Sequence, residues 1–108
     1  MKPSGVSQME HKGYLVSLRP AAEWKLAAYL QFLTHVSESA GDKLYQEYAD
    51  SLAFLAHSPE SCPPYSPNPK YRYKLFGKRY RIVFEIVGNA VYAEDIQDCR
   101  EDTDKNLV

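Results

Sequence analysis

Residues 71–102 read YRYKLFGKRYRIVFEIVGNAVYAEDIQDCRED, and no other stretch limits the fold of this chain as strongly. Two glycine-led pairs, Gly77-Lys78 and Gly88-Asn89, cut it into segments 71–76, 79–87 and 90–96. All three are dense in aromatic and β-branched residues, which suit a half-buried pleated surface. Gly at the first central position of a two-residue loop fits a type II′ hairpin, whose twist matches that of the strands it joins. The stretch predicts a three-stranded antiparallel meander.

A two-residue loop at Gly77-Lys78 fixes the pairing: Phe76 faces Arg79, Leu75 faces Tyr80, Lys74 faces Arg81 and Tyr73 faces Ile82. Side chains alternate between the two faces of a strand. One face then carries Tyr71, Tyr73, Leu75, Tyr80, Ile82, Phe84 and Ile86, and is the expected core face. The other carries Arg72, Lys74, Arg79, Arg81 and Glu85, a cationic platform. Like charges placed directly opposite destabilise a sheet. Lys74 across from Arg81 therefore points to a bound anion or a nearby carboxylate, with a plain solvated face as the alternative.

The second hairpin complicates this picture. A Gly88-Asn89 loop puts Tyr92 opposite Glu85, Glu94 opposite Val83 and Ile96 opposite Arg81, and it sends Asp95 onto the apolar face. An isolated buried carboxylate is costly. Either a bulge shifts the register near Asp95, or Asp95 lies beyond the edge of the core.

The first half of the chain predicts one strand and two helices. Residues 14–19 (YLVSLR) form a short strand, and their nearly continuous apolar run suggests cover on both faces or a place inside a sheet. Pro20 suits the first turn of a helix. Leu26, Tyr29, Leu30, Leu33 and Val36 follow at helical spacing, widened by Trp24, Ala27, Ala28 and Phe32. A stripe wider than one packing face needs implies a second contact at Trp24, Tyr29 and Phe32, with a partner protein or a second copy. Ser39 with Asp42 resembles a capping box opening a second helix. That helix presents Leu44, Tyr48, Leu52 and Leu55 on one face and is stopped by Ser58-Pro59. The short connection implies a helical hairpin. Residues 59–69 (PESCPPYSPNP) hold five prolines and serve as an irregular return to the sheet.

Composition excludes more than it identifies. With 108 residues, 44% of them hydrophobic, the chain holds material for one modest core. Residues 1–12 are polar and aperiodic, a flexible start; residues 13–108 form a single domain. Nothing approaches the roughly 18–20 apolar residues of a bilayer span, and the first 12 residues have no apolar signal core, so a cytoplasmic protein is expected. The net charge of −1 offers no bulk attraction to nucleic acid, although six of the 13 basic residues fall in residues 70–81. Cys62, Cys99 and the three scattered histidines match no metal spacing, and no cofactor motif is present.

Strand, helix, helix, three strands in about 100 residues, with the basic YRYKL (71–75), RYRIVFEI (79–86), then Val91-Tyr92 and IQDCRED (96–102), resembles the RelE/ParE superfamily of type II toxin–antitoxin toxins. The resemblance spans nearly the whole chain from Tyr14. It implies an α+β fold with the helical hairpin packed on the sheet, and a cognate antitoxin whose extended segment binds the toxin. RelE-like members are ribosome-dependent mRNA endonucleases, in which the RNA 2′-hydroxyl attacks the adjacent phosphate. ParE-like members act on DNA gyrase and are not nucleases. By resemblance, Arg72, Lys74, Arg81 and Arg100 would hold phosphate in a RelE-like enzyme, with Glu94, Tyr92 or Lys74 left as possible bases. RelE-like sequences often carry a Tyr or His beyond the last strand; residues 98–108 carry neither. The resemblance therefore leans ParE-like, with the mRNA endonuclease and a non-toxic partner-binding relative as alternatives.

Overall fold

The computed structural model describes residues 13–100. Strand β1 (Leu15–Leu18) leads into helices α1 (Pro20–Val36) and α2 (Glu38–His57). Strands β2 (Arg72–Phe76), β3 (Tyr80–Val87) and β4 (Ala90–Asp98) follow. The sheet order is β1-β4-β3-β2, with β1 parallel to β4 and the other pairs antiparallel. The expected α+β order and the meander are both present, and the helical hairpin covers one face of the sheet. The expectations for residues 1–12 and for the end of the tail lie outside the described residues.

Both helices start and stop for local reasons. Pro20 opens α1, and the Ser37 N–H closes it on the Leu33 carbonyl. Ser37 alone links the two helices, its hydroxyl accepting from the Ala40 N–H at 3.3 Å. The N-cap is thus Ser37, two residues before the expected Ser39, because the chain needs only one extended residue to reverse. Ser58 and Pro59 end α2, as the sequence predicts. α1 packs chiefly on β4, and α2 on β2 and β1. Between them and the sheet lie Ala22, Leu26, Leu44, Tyr48, Leu55, Phe76, Tyr80, Ile82, Phe84, Val91, Ala93 and Ile96. Three of these rings form a continuous chain: Tyr48 to Phe76 at 5.9 Å, then Phe76 to Tyr80 at 5.7 Å. Tyr29 extends it from α1, 5.1 Å from Tyr80.

Strand β1 corrects its sequence reading. It is an edge strand with one face covered: Val16 and Leu18 pack toward the core, while Leu15 is 72% exposed. A continuous apolar run in a short strand does not distinguish an edge from an interior position.

The two hairpins diverge. Gly88-Asn89 is a two-residue loop with Val87 opposite Ala90 and Gly88 at φ 60°, as expected. The other loop holds three residues, Gly77, Lys78 and Arg79, with Phe76 opposite Tyr80. Two successive positive φ values, 60° at Gly77 and 70° at Lys78, carry the chain round, and Arg79 donates to the Gly77 carbonyl at 2.8 Å. One extra loop residue slips β2 by one position against β3 and moves its side chains to the opposite faces. Phe76 joins the core, and Leu75 is left 50% exposed. Lys74 faces Ile82 rather than Arg81, and Tyr73 faces Val83. The single cationic platform does not form: Arg72 and Lys74 share the helix-covered side with Ile82 and Phe84, while Arg81 lies on the other side with Leu75, Val83 and Gln97.

A second irregularity, between Val83 and Phe84, resolves the fate of Asp95. Phe84 pairs with Ala93 and Val83 with Asp95, so Glu94 is the extra residue of a β-bulge. Asp95 turns away from the helix-side core yet remains fully buried.

Candidate functional site

Arg72, Lys74, Arg81 and Arg100 each have a partner within the chain. The proline-rich loop begins with a 3-10 turn, Pro59–Ser61, then runs back along the start of β2. Tyr65 N–H donates to the Tyr71 carbonyl at 2.8 Å, and Tyr73 N–H to the Pro63 carbonyl at 3.1 Å. The loop is thus a short extra ribbon on the β2 edge. Arg72 is bound to it, donating to the carbonyls of Cys62 at 2.7 Å and Glu60 at 3.3 Å. The Tyr14 hydroxyl donates to the Glu60 carboxylate, which raises the phenol pKa above its usual value. Lys74 lies 5.0 Å from the centre of the Phe54 ring on α2, a cation–π contact. Cys62 is buried beneath; desolvation raises its thiol pKa, and Lys74 and Arg72 partly offset that rise.

Arg81 heads a separate construction. Its Nε donates to Gln97 Oε1 at 2.7 Å, and its guanidinium lies 5.3 Å from the Tyr65 ring and 5.7 Å from the Tyr73 ring. Gln97 Nε2 donates to the Tyr65 hydroxyl at 3.0 Å and to Asp95 Oδ2 at 2.9 Å. Lys25 of α1 completes the chain on Asp95 Oδ1 at 2.9 Å. Asp95, Gln97 and Tyr65 are essentially inaccessible to solvent. Buried polar groups of this kind stabilise only when their hydrogen bonds are made, and here α1, β3, β4 and the proline-rich loop all supply partners. The network joins the return loop to the sheet and to α1. Sequence reasoning missed Tyr65, Gln97 and Lys25. The one usable signal was the alternation of polar Asp95 and Gln97 about the apolar Ile96 in β4.

The remaining candidates lie apart. Arg100 pairs with Asp98, through its Nε at 3.6 Å and its backbone N–H at 2.9 Å, at the exposed end of β4. Of the potential bases, Glu94 is 3.3 Å from Arg19 Nε, and Arg19 stacks 4.5 Å over Tyr92. That cluster lies at the β1–β4 end of the sheet, whereas Lys74 sits on β2 at the far edge. The structure therefore brings Arg72 and Lys74 together, and places Arg81, Arg100 and the acidic candidates elsewhere. Among the described residues no group of His, Cys, Asp and Glu could hold a metal ion, and no helix is long and apolar enough to cross a membrane.

Two exposed apolar surfaces stand out. One is the groove at the β2 edge, lined by Phe54 (39% exposed), Pro63, Tyr73, Lys74 and Leu75. The other is the outer side of α1, with Trp24 78% and Phe32 63% exposed. Tyr29, expected beside them, is half-buried against Tyr80.

No protein-family model matches the sequence, and no curated protein matches it. Among solved structures, the chain is similar to one titled as the chromosomal ParDE TA system from P. aeruginosa, with a TM-score of 0.69 and 14% sequence identity. The alignment covers 79% of this chain and 95% of that one. At that identity the shared property is the fold, the RelE/ParE-like arrangement that the sequence resemblance implied.

Proposed function

We propose that this chain is the toxin of a type II toxin–antitoxin module, of the ParE-like kind that arrests growth by binding DNA gyrase, and that a cognate antitoxin neutralises it. The likeness to a ParDE chain over 95% of that chain's length supports the module. The state of Arg81 supports the binding reading over the nuclease one. Phosphoryl chemistry needs cations converging where charge develops, and here the central arginine is committed to the buried Gln97, on the face opposite Arg72 and Lys74.

The antitoxin's extended segment has a fitting place beside β2. The proline-rich loop takes the outer edge only as far as Tyr73. Past it, among the described residues, β2 has no further strand beside it, and the groove at this edge is lined by Phe54 and Lys74 on the helix side and by Leu75 on the other, with Lys74 for an acidic side chain. Main-chain pairing along an open edge with side chains in an adjoining groove is a common mode of peptide recognition.

Tightly repressed expression, with and without the adjoining reading frame, tests this reading. The expected result is growth arrest that the neighbour reverses, with DNA breaks in the arrested cells and loss of supercoiling by purified gyrase on addition of the chain. Cleavage of ribosome-bound mRNA with intact gyrase activity would replace it with the RelE-like reading. A folded chain that never arrests growth would leave a non-toxic partner-binding protein.

A further inference from the structure

The turn between β2 and β3 meets the helical hairpin around a cavity of about 230 Å³. Leu33 near the end of α1, with Ala40 and Leu44 in the first half of α2, supplies its apolar lining. Its charged lining is Lys43, Glu47, Lys78 and Arg79. Gly77 permits the close approach of turn and helix. A Cβ there would lie 2.6 Å from Leu44 Cδ1 and 3.3 Å from Glu47 Oε1.

The cations here differ from those elsewhere in the chain. Among the described residues, Lys43 and Lys78 are the two whose side chains make no hydrogen bond, ion pair or ring contact. Every other Lys or Arg has such a partner. Both unpartnered lysines line this one cavity. Arg79 beside them touches the Tyr80 ring at 5.5 Å, and its guanidinium donates no hydrogen bond. Glu47 lies one helical turn from Lys43, a spacing that permits a pair, yet its carboxylate makes no ion pair. Lys78 is held at φ 70°, where any residue with a Cβ is strained. Backbone preference therefore does not explain a lysine at that position.

We infer that this cavity binds a small phosphate monoester, its phosphate held by Lys43, Lys78 and Arg79 and its carbon stem lying on Leu33 and Leu44. Charge selects the ligand class. Three cations and one carboxylate leave the lining at a net +2, and a phosphate monoester carries about −1.5 to −2 near pH 7. A single carboxylate cancels only half of that. Volume selects the size. The cavity falls below the ~300–1,000 Å³ of sites that enclose drug-sized molecules, so the stem is a few carbons rather than a nucleoside. Glu47 is left to accept from a hydroxyl on that stem. A nucleic-acid backbone is the poorer match, because it needs a track of free cations, and Arg72 and Arg81 are bound within the chain. The cavity shares no lining residue with the groove at the β2 edge, and binding there is independent of toxicity.

Titration of the purified full chain with glycerol 3-phosphate at constant ionic strength, followed by two-dimensional NMR, tests the site. Saturable shifts are expected at the amides of Lys43, Gly77 and Lys78. Inorganic phosphate should bind more weakly, for want of a stem, and acetate more weakly still. Lys43→Ala combined with Lys78→Gly should weaken the ester about tenfold, as two exposed ion pairs imply. Glu47→Gln should tighten it, by removing the one like charge. Lys78→Gly also relieves the strained φ, so its melting temperature should equal or exceed that of wild type, which separates lost binding from lost folding. A chain with no saturable shift overturns the site. So does binding indifferent to the double variant, or inorganic phosphate bound as tightly as the ester. Duplex DNA that shifts the same amides at lower concentration than the ester would assign the cations to a nucleic-acid backbone and overturn the monoester.

Discussion

The two faces of the sheet are filled in different ways. On the helix side, Phe76, Tyr80, Ile82, Phe84, Val91 and Ile96 pack against α1 and α2, and the apolar area removed from water holds that layer together. On the other side, Val83 and Tyr65 share the interior with Asp95 and Gln97, the half-buried Arg81 caps them, and alignment of donors and acceptors decides the outcome. The apolar face tolerates error in shape. The polar face tolerates none in pairing, because each lost partner strands a desolvated group. A basic residue in a basic strand can therefore be structural, and Arg81 is the instance here.

Substitutions can break this contrast in order of expected size. Phe84→Ala, in the centre of the apolar face, should cost about 3–5 kcal/mol, read as a lower urea midpoint with an unchanged slope. Arg81→Ala should cost about 1.5–3 kcal/mol, since it leaves Gln97 Oε1 buried without its charged donor. Adding Gln97→Leu should cost more again, because Gln97 also donates to Tyr65 and to the buried Asp95, and a double-mutant cycle reads the coupling between Arg81 and Gln97. If Arg81→Ala melts like wild type, its bond to Gln97 does not stabilise the fold. The turns sharpen the contrast between sites of equal sequence appearance. Gly77 and Gly88 both have φ 60°, but a Cβ at Gly77 would lie 2.6 Å from Leu44 Cδ1, whereas nothing lies within 4 Å of one at Gly88. Gly88→Ala should cost the ~1–2 kcal/mol of a left-handed alanine, and Gly77→Ala clearly more. Equal losses at the two sites would remove the role of Leu44.

The smallest effect is a pH dependence. Burial pushes the Tyr48 phenol up to about 12 from an ordinary 10.0, with lesser contributions from Tyr45 and Glu23. The folded state holds this proton more tightly than the unfolded state does. Its contribution to stability is therefore complete below pH 10 and is lost as pH rises toward 12. Melting temperature followed from pH 9 to 12 should fall more steeply for wild type than for Tyr48→Phe.

Local rules reached far along this chain. Pro20, Ser58-Pro59 and the helical spacing of α1 and α2 are visible in residue order, because caps and amphipathic faces depend on neighbours three or four residues away. The meander was legible for the same reason, and the tight Gly88-Asn89 turn fixed its own register. The Gly77 loop was not legible in this way. Two or three loop residues are equally compatible with Gly-Lys-Arg, and the choice falls to the fit of Phe76 and Tyr80 beneath α2, a contact some 30 residues away in sequence. That one position of slip separated Arg81 from Arg72 and Lys74 and dissolved the platform that alternation had suggested.

Sequence alone determined the order of elements, their approximate bounds, the broad apolar stripe of α1 and the family that this order resembles. Tertiary structure decided which basic residues are bound to partners within the chain, how Asp95 is satisfied, and that Tyr65 of an irregular loop belongs to the core. The physical reason is range. Backbone propensity and amphipathic period act within a turn or two of the chain, whereas burial of a charge is settled by partners from α1, the proline-rich loop and two strands at once.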